Sequence, residues 1–245
     1  MRTRWTAALA AWVFSVFGAW LTTAEEPPIA SVTQLGGWRT LTKDDFISVN
    51  VDESTLRWDG NRVHNSGYPI GVTRSREEFE NFELILDWKH MRAGGNSGCF
   101  LWVSDEALAD LQPGQLPSGG IEIQMLDHDF RRQYLQKHPD ARPLFFSTHG
   151  DVFPIGQSTM EPMLPTSPNG QRSFPREERS LGHGHWNHYH VRAIDGEVRL
   201  SVNGREVSGG TRCNPKVGYL CLESEGAPMQ FRNIRVRRLP AGARQ

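Results

Sequence analysis

The strongest constraint in this chain is the strict two-residue alternation of Phe82-Glu83-Leu84-Ile85-Leu86-Asp87-Trp88-Lys89-His90. Successive side chains of a strand point to opposite faces. Phe82, Leu84, Leu86 and Trp88 therefore share one face, and Glu83, Ile85, Asp87 and Lys89 the other. Ile121-Glu122-Ile123-Gln124-Met125-Leu126 alternates in the same way, with Ile121, Ile123 and Met125 on the apolar side. Leu56-Arg57-Trp58 and Arg62-Val63-His64 flank Asp59-Gly60-Asn61, the pattern of a tight hairpin. Further strands are expected at Cys99–Val103, Trp186–Ile194, Glu197–Val202, Val217–Glu223 and Met229–Arg237, with turns at Gly94–Gly98, Asp195-Gly196 and Asn203-Gly204. Helical patterns are sparse: Ala107–Leu111 and Phe130–Lys137 each suit one short helix inside a loop. Many short strands separated by Gly and Asn turns predict an all-β sandwich or barrel.

The N-terminus reads differently. Arg2 and Arg4 precede an apolar run from Ala7 to Leu21, and Thr22-Thr23-Ala24 supplies small residues at its exit. This is the pattern of a secretory signal peptide over residues 1–24. The run is short for a bilayer span, which needs ~20 apolar residues. The expectation is export to the periplasm or the extracellular space, with no stable membrane insertion after cleavage. Residues 25–36 form a Pro-containing lead-in, and 37–240 the folded domain. About 220 residues, long enough to bury a sizeable core, suit one all-β domain. The net charge of -1 comes from interleaved acids and bases, which argues against a nucleic-acid partner. Cys99, Cys213 and Cys221 are an odd set without zinc-site spacing, read as core residues; whether Cys213 and Cys221 pair stays open.

Residues 131–185 are rich in Pro, Gly, Ser and charge. A stretch that long with few strands is usually functional or disordered. Phe145–Phe153 is expected to lie ordered over the binding face, and Gln157–Arg179 to be mobile.

Several clusters can carry chemistry. With Ile121, Ile123 and Met125 in the core, Glu122 and Gln124 face away from it, placed for proton transfer or hydroxyl binding; a solvated outer face is the plain alternative. Lys89 on its polar face suits an oxyanion or a cross-strand ion pair. Asp127-His128-Asp129 reads as a polar loop more readily than as a metal site. His188 and His190 share a strand face, with Tyr189 and Val191 turned to the core; without a third ligand nearby they are read as sugar-binding or surface histidines, and no metal is assigned. Glu223 and Glu225 share a face opposite Leu220 and Leu222, and Arg232, placed with Ile234 and Val236, should be buried against a carboxylate. No G-x-S-x-G elbow or phosphate loop is present.

The blocks Gly37-Trp38, Asn81-Phe82-Glu83-Leu84, Gly95-Asn96-Ser97-Gly98, Gly120 to Asp127, Trp186-Asn187, Val202-Asn203-Gly204, Gly218 to Leu222 and Phe231-Arg232-Asn233-Ile234 follow a specific order and spacing. In them the chain resembles the bacterial 3-keto-disaccharide hydrolase domain family, from about Trp38 to Leu239. The resemblance implies a concanavalin/LamG-like jelly roll of two antiparallel sheets, with a ligand cleft on the concave one. It implies a hydrolase or lyase that cleaves 3-keto-glycosides supplied by a separate glycoside 3-oxidoreductase, with a small-molecule or oligosaccharide substrate. No cofactor is expected, and a bound divalent metal stays open. The matching blocks fall on Glu122, Gln124, Asp127, Asn96 and Ser97. Glu122 is the expected acid/base; outside the matching blocks, Lys89 is the expected enolate stabiliser and His149, on the covering loop, a candidate second acid/base. Gln124, Asn96, Ser97, Asp127, His190 and Glu225 are the expected substrate contacts. Many members carry Gln-Asp-His-Gly where this chain has Glu223-Ser224-Glu225-Gly226, which changes the local charge. The alternative is a non-catalytic, lectin-like carbohydrate-binding module on the same fold.

Overall fold

The computed structural model describes residues 37–243; the signal peptide and lead-in expected over residues 1–36 lie outside the described residues. In chain order the strands are β1 (Arg39–Thr40), β2 (Phe46–Ser48), β3 (Leu56–Asp59), β4 (Arg62–Asn65), β5 (Gly71–Ser75), β6 (Phe82–His90), β7 (Gly98–Val103) and β8 (Gly119–Met125). There follow β9 (His149–Gly156), β10 (Thr159–Pro162), β11 (Asn187–Ile194), β12 (Glu197–Val202), β13 (Arg205–Asn214), β14 (Tyr219–Ser224) and β15 (Met229–Arg238). Two short helices, α1 (Asp105–Leu108) and α2 (His128–Lys137), lie in the connections either side of β8. Ser104 and Asp127 cap them, each side chain accepting a hydrogen bond from a first-turn N–H.

The strands form two antiparallel sheets. One runs β10-β13-β12-β11-β6-β15-β4-β3, with β1 also paired to β15. The other runs β2-β5-β14-β7-β8-β9. The core lies between them: Phe82, Leu84, Leu86, Trp88, Val191 and Leu200 of the larger sheet pack with Cys99, Leu101, Ile121, Ile123, Met125 and Leu222 of the smaller. The alternation in β6 and β8 thus places their apolar sides inward. This is the all-β sandwich expected from the strand pattern, and the jelly roll that the resemblance implies. Asn203 (φ 46°) and Gly204 (φ 81°) both adopt left-handed backbone, the requirement of the two-residue turn that joins β12 to β13. Among the described residues no helix is long and apolar enough to cross a membrane.

Three local expectations change. Gln157–Arg179 is not a mobile loop: it contains β10, which pairs with β13, and Ser173 exchanges two backbone hydrogen bonds with Val152 of β9. Of the segment expected over the binding face, His149–Phe153 is instead part of β9, the edge strand of the smaller sheet. Arg232 does find a carboxylate, Asp87, but it does not share a face with Ile234 and Val236. A bulge between Arg232 and Arg235, with Asn233 at φ 54°, breaks the period and sends Arg232 to the outer side. The three cysteines are all free and buried, so Cys213 and Cys221 do not pair.

Candidate functional site

The outer face of the smaller sheet is divided in two. At one end α1 covers Val72, Phe100, Val103, Tyr219 and Cys221. At the other the face is acidic. Glu122 and Gln124 come from β8, Glu223 from β14, Asp151 and Phe153 from β9, and Glu225 from the turn after β14. Gly98 of β7 lies between them in the ladder, opposite Gln124. A methyl group at Gly98 would stand 2.7 Å from Glu223 Oε2 and 3.1 Å from Glu122 Oε1. Its lack of a side chain keeps the space between the two carboxyls open.

The polar groups are connected. Arg172 donates to Gln124 Oε1 at 3.1 Å, and Gln124 Nε2 donates to Asn96 Oδ1 at 3.0 Å. The Arg172 guanidinium lies 3.4 Å from the Phe153 ring centroid and 3.7 Å from Asp151 Oδ2. Asp151 in turn accepts from the backbone N–H of Ser147 at 2.9 Å and from the Ser147 hydroxyl. The buried Glu223 carboxyl finds no donor in the backbone or amides around it; its hydrogen-bond partner is the Glu225 carboxyl, which requires a proton on one of the two. The backbone below is fixed: Asn65 Nδ2 at 2.7 Å and Ser97 Oγ at 2.9 Å both donate to the Glu223 carbonyl.

Four carboxyls face one guanidinium here, so they cannot all ionise cheaply. Burial pushes Glu122 up to about 8, helped by the charges of Glu225 and Asp151 and opposed by Arg172. Burial also raises Glu225 to about 7, opposed by Glu223, Asn96 and Arg172. Asp151 rises to about 6 through burial, held back by Ser147 and Arg172. Glu223 is driven well above the carboxylate range by burial and by the charges of Glu225 and Glu122. The group titrates as a unit. At neutral pH it contains both protonated and ionised carboxyls, which is what paired acid and base chemistry requires.

The structure brings together Glu122, Gln124, Asn96 and Glu225 from the expected set. Ser97 is adjacent, but its hydroxyl is spent on the backbone. Lys89 and His190 are corrected: both project from the outer face of the larger sheet, with both sheets and the core between them and Glu122. Lys89 Nζ lies 4.6 Å from the Trp186 ring centroid, and His190 Nε2 lies 3.5 Å from Glu83 Oε1. His149 is buried, with Thr148 and Ser180 as hydrogen-bond partners. Burial, with the nearby His128, lowers it to about 3, so it stays neutral at physiological pH and has no imidazolium proton to donate. Asp127 is a structural clamp: it accepts from the backbone N–H groups of Gly94 (2.7 Å), Asp129 (3.1 Å) and His183 (2.8 Å). Asp127, Asp129 and His183 place potential ligand atoms within 4.8 Å of one another, and the N–H donors on Asp127 leave lone pairs on its oxygens.

Arg172, Asp151 and Glu223 are the members sequence reasoning left out of the site. Glu223 had a signal, its shared strand face with Glu225. Asp151 lies two residues beyond the histidine that drew attention. Arg172 sits in a Pro- and Gly-rich segment with no period from which a facing direction can be read.

Fold and site together define a jelly-roll sandwich with an acidic cluster on the outer face of one sheet. Residues 32–237 match the model of the 3-keto-alpha-glucoside-1,2-lyase-like domain, and the chain belongs to that family. No curated protein matches the chain. Two Parabacteroides distasonis structures, both provisionally described as glycosyl hydrolases, share the fold. One is 19% identical with TM-score 0.57, over 82% of this chain and 99% of that one. The other is 18% identical with TM-score 0.55, over 83% and 94%. A Bacillus subtilis protein of unknown function with a galectin-like fold is 14% identical with TM-score 0.50, over 86% and 93%.

Proposed function

We propose that this protein cleaves 3-keto-glycosides by removing the C2 proton and expelling the group on C1. The observation that carries the reading is the cluster of Glu122, Glu223 and Glu225 around the Gly98 gap with Arg172 as the one cation of the cluster. Burying several carboxyls together costs stability, and such perturbed groups gather where chemistry is done. A binding module needs hydroxyl partners, not carboxyls forced to hold protons near neutral pH.

The chemistry divides among the residues. A C3 ketone makes the C2 proton acidic. Glu225, the more readily ionised of the Glu122 and Glu225 pair, takes that proton. The electron pair moves into the C2–C3 bond and places negative charge on the C3 oxygen, where Arg172 is the available cation. The charge then returns: C3=O reforms, C1=C2 forms and the C1–O bond breaks. Glu122, which holds its proton to about pH 8, gives it to the departing oxygen. Water adding across C1=C2 completes a hydrolysis. Nothing in this route needs the two carboxyls that flank the bond in an ordinary glycosidase. An oxidoreductase acting earlier would supply the ketone, and an exported protein would meet its substrate outside the cytoplasm.

The test is incubation of the purified protein with 3-keto-trehalose and with trehalose. Glucose should appear from the ketone alone; in heavy water the hydrated keto-sugar product should carry deuterium at C2, and an unhydrated elimination product should have no hydrogen there. Equal cleavage of both sugars, or none of either, overturns the proposal.

A further inference from the structure

Tyr68 is among the most exposed large hydrophobic side chains of the described residues, at 63%, and it stands beside Gly226, the residue after Glu225. Single exposed apolar residues are common and carry no meaning by themselves. Two further observations set Tyr68 apart. Its backbone is clamped although its ring is open. Ser66 Oγ donates to the Tyr68 carbonyl at 2.8 Å and accepts from the Tyr68 N–H at 3.3 Å, and Thr55 Oγ1 donates to the same carbonyl at 3.2 Å. The clamp is also locked onto the turn that carries the carboxyls. Gly226 donates its N–H to the Gly67 carbonyl at 2.8 Å, and Asn65, which accepts from the Gly67 N–H, is the same residue that holds the Glu223 carbonyl. Gly67 approaches Ala227 so closely that a methyl group there would stand 2.4 Å from Ala227 N. The Tyr68 hydroxyl lies 3.4 Å from the point where a Gly226 side chain would begin. An exposed aromatic ring on a fixed backbone thus stands beside the residue that follows Glu225.

The sheet sets the scale. From β14, which Tyr68 borders, to β9 and Arg172 is three strand intervals, about 14 Å at ~4.8 Å each. A disaccharide is long enough to reach across that distance. Arg172 and Asp151 lie at the β9 end, Glu225 and Tyr68 at the β14 end, and Glu122, on β8, between them.

Building on the cleavage chemistry proposed above, we infer that Tyr68 is a stacking platform for the second sugar of the substrate. The keto ring lies at the Arg172 end and the leaving sugar lays its apolar C–H face on the Tyr68 ring. The site is then selective for 3-keto-disaccharides over keto-glycosides with small leaving groups. Tyr68 acts by positioning and makes no contact with the reacting bond.

The experiment measures binding, so it stands or falls separately from turnover. Calorimetry is run with 3-keto-trehalose on a Glu122→Gln background to prevent cleavage, with Tyr68, Tyr68→Ala, Tyr68→Phe and Tyr68→Trp. The Ala variant should raise Kd about tenfold, and Phe and Trp should restore it to within about twofold, because ring area and not the hydroxyl does the holding. Saturation-transfer NMR should mark the ring without the ketone, and lose that signal in the Ala variant. An unchanged Kd in the Ala variant, a Phe variant as weak as Ala, or no binding with Tyr68 in place overturns the platform. Failure of the wild-type protein to release glucose, with the Tyr68 series behaving as expected, overturns the cleavage chemistry instead.

Discussion

The two outer faces of the sandwich both bury acidic side chains and treat them in opposite ways. On the larger sheet Asp87 accepts from Arg232 Nε at 3.0 Å and Asn233 Nδ2 at 2.7 Å, and lies 2.8 Å from His188 Nδ1. Burial opposes its ionisation, but His188, Asn233 and Arg232 overcome that and hold it below the usual range. Glu83 behaves alike: burial is outweighed by His190 and Arg237, whose Nε donates at 2.8 Å. On the smaller sheet the carboxyls have one another, and Arg172 alone to share. The same residue types at the same strand period give a structural network on one side and a proton store on the other. Partner supply makes the difference.

That contrast can be broken experimentally, with the largest effect first. Glu122→Gln should lower kcat on 3-keto-trehalose about 10²–10⁴-fold, the range for a lost acid/base group, with stability at pH 7 kept or raised. Steady-state kinetics and urea unfolding on the same preparation read both.

Asp87→Ala should do the reverse. It strands Arg232 and His188 and should cost about 3–5 kcal/mol by chemical denaturation, while KM for the same substrate stays near wild type in whatever protein folds.

Gly98→Ala should affect both properties. The added methyl meets Glu223 and Glu122, so a loss of about 1–3 kcal/mol is expected together with reduced kcat.

The two faces also predict opposite pH signs. Glu122, Glu225 and Glu223 have raised values, so between the ordinary carboxyl range and about pH 8 the native state binds more protons than the unfolded one. Stability should fall as pH rises through that window, and less steeply in Glu122→Gln. Asp87 and Glu83 have lowered values, so their stabilisation is present above the unfolded carboxyl range and lost as pH falls through their folded values. A stability maximum on the acid side of neutrality follows, measured by urea midpoints across the range. Activity should trace a bell with its limbs near pH 7 and pH 8, both belonging to the coupled Glu122, Glu223 and Glu225 group.

The smallest effect is expected at Lys89→Ala, which removes a cation from Trp186 and should cost about 0.5–1 kcal/mol with kcat unchanged. A large loss of kcat there would mean that the catalytic face has been misplaced.

Alternation in β6, β8, β11 and β12 was enough to sort inward from outward residues, because a strand has only two faces. It also indicated the all-β class and the hairpin turns at Asp195-Gly196 and Asn203-Gly204, where backbone chemistry is local. Glu122, Gln124 and Glu225 were legible as outward polar groups for the same reason. What alternation cannot carry is which sheet a strand joins. Lys89 and Glu122 both point outward, yet β6 lies in one sheet and β8 in the other, so their outward directions oppose. Only the pairing of distant strands decides that. The bulge at Asn233 reversed Arg232 by the same logic, since one inserted residue shifts the period. Arg172 and Tyr68 lie on connections, where no period exists, and contacts far away in sequence position them. The chain itself thus determined the layers and the supply of acids. The tertiary structure decided which acids meet each other and which meet a base, because that depends on neighbours across the sheet.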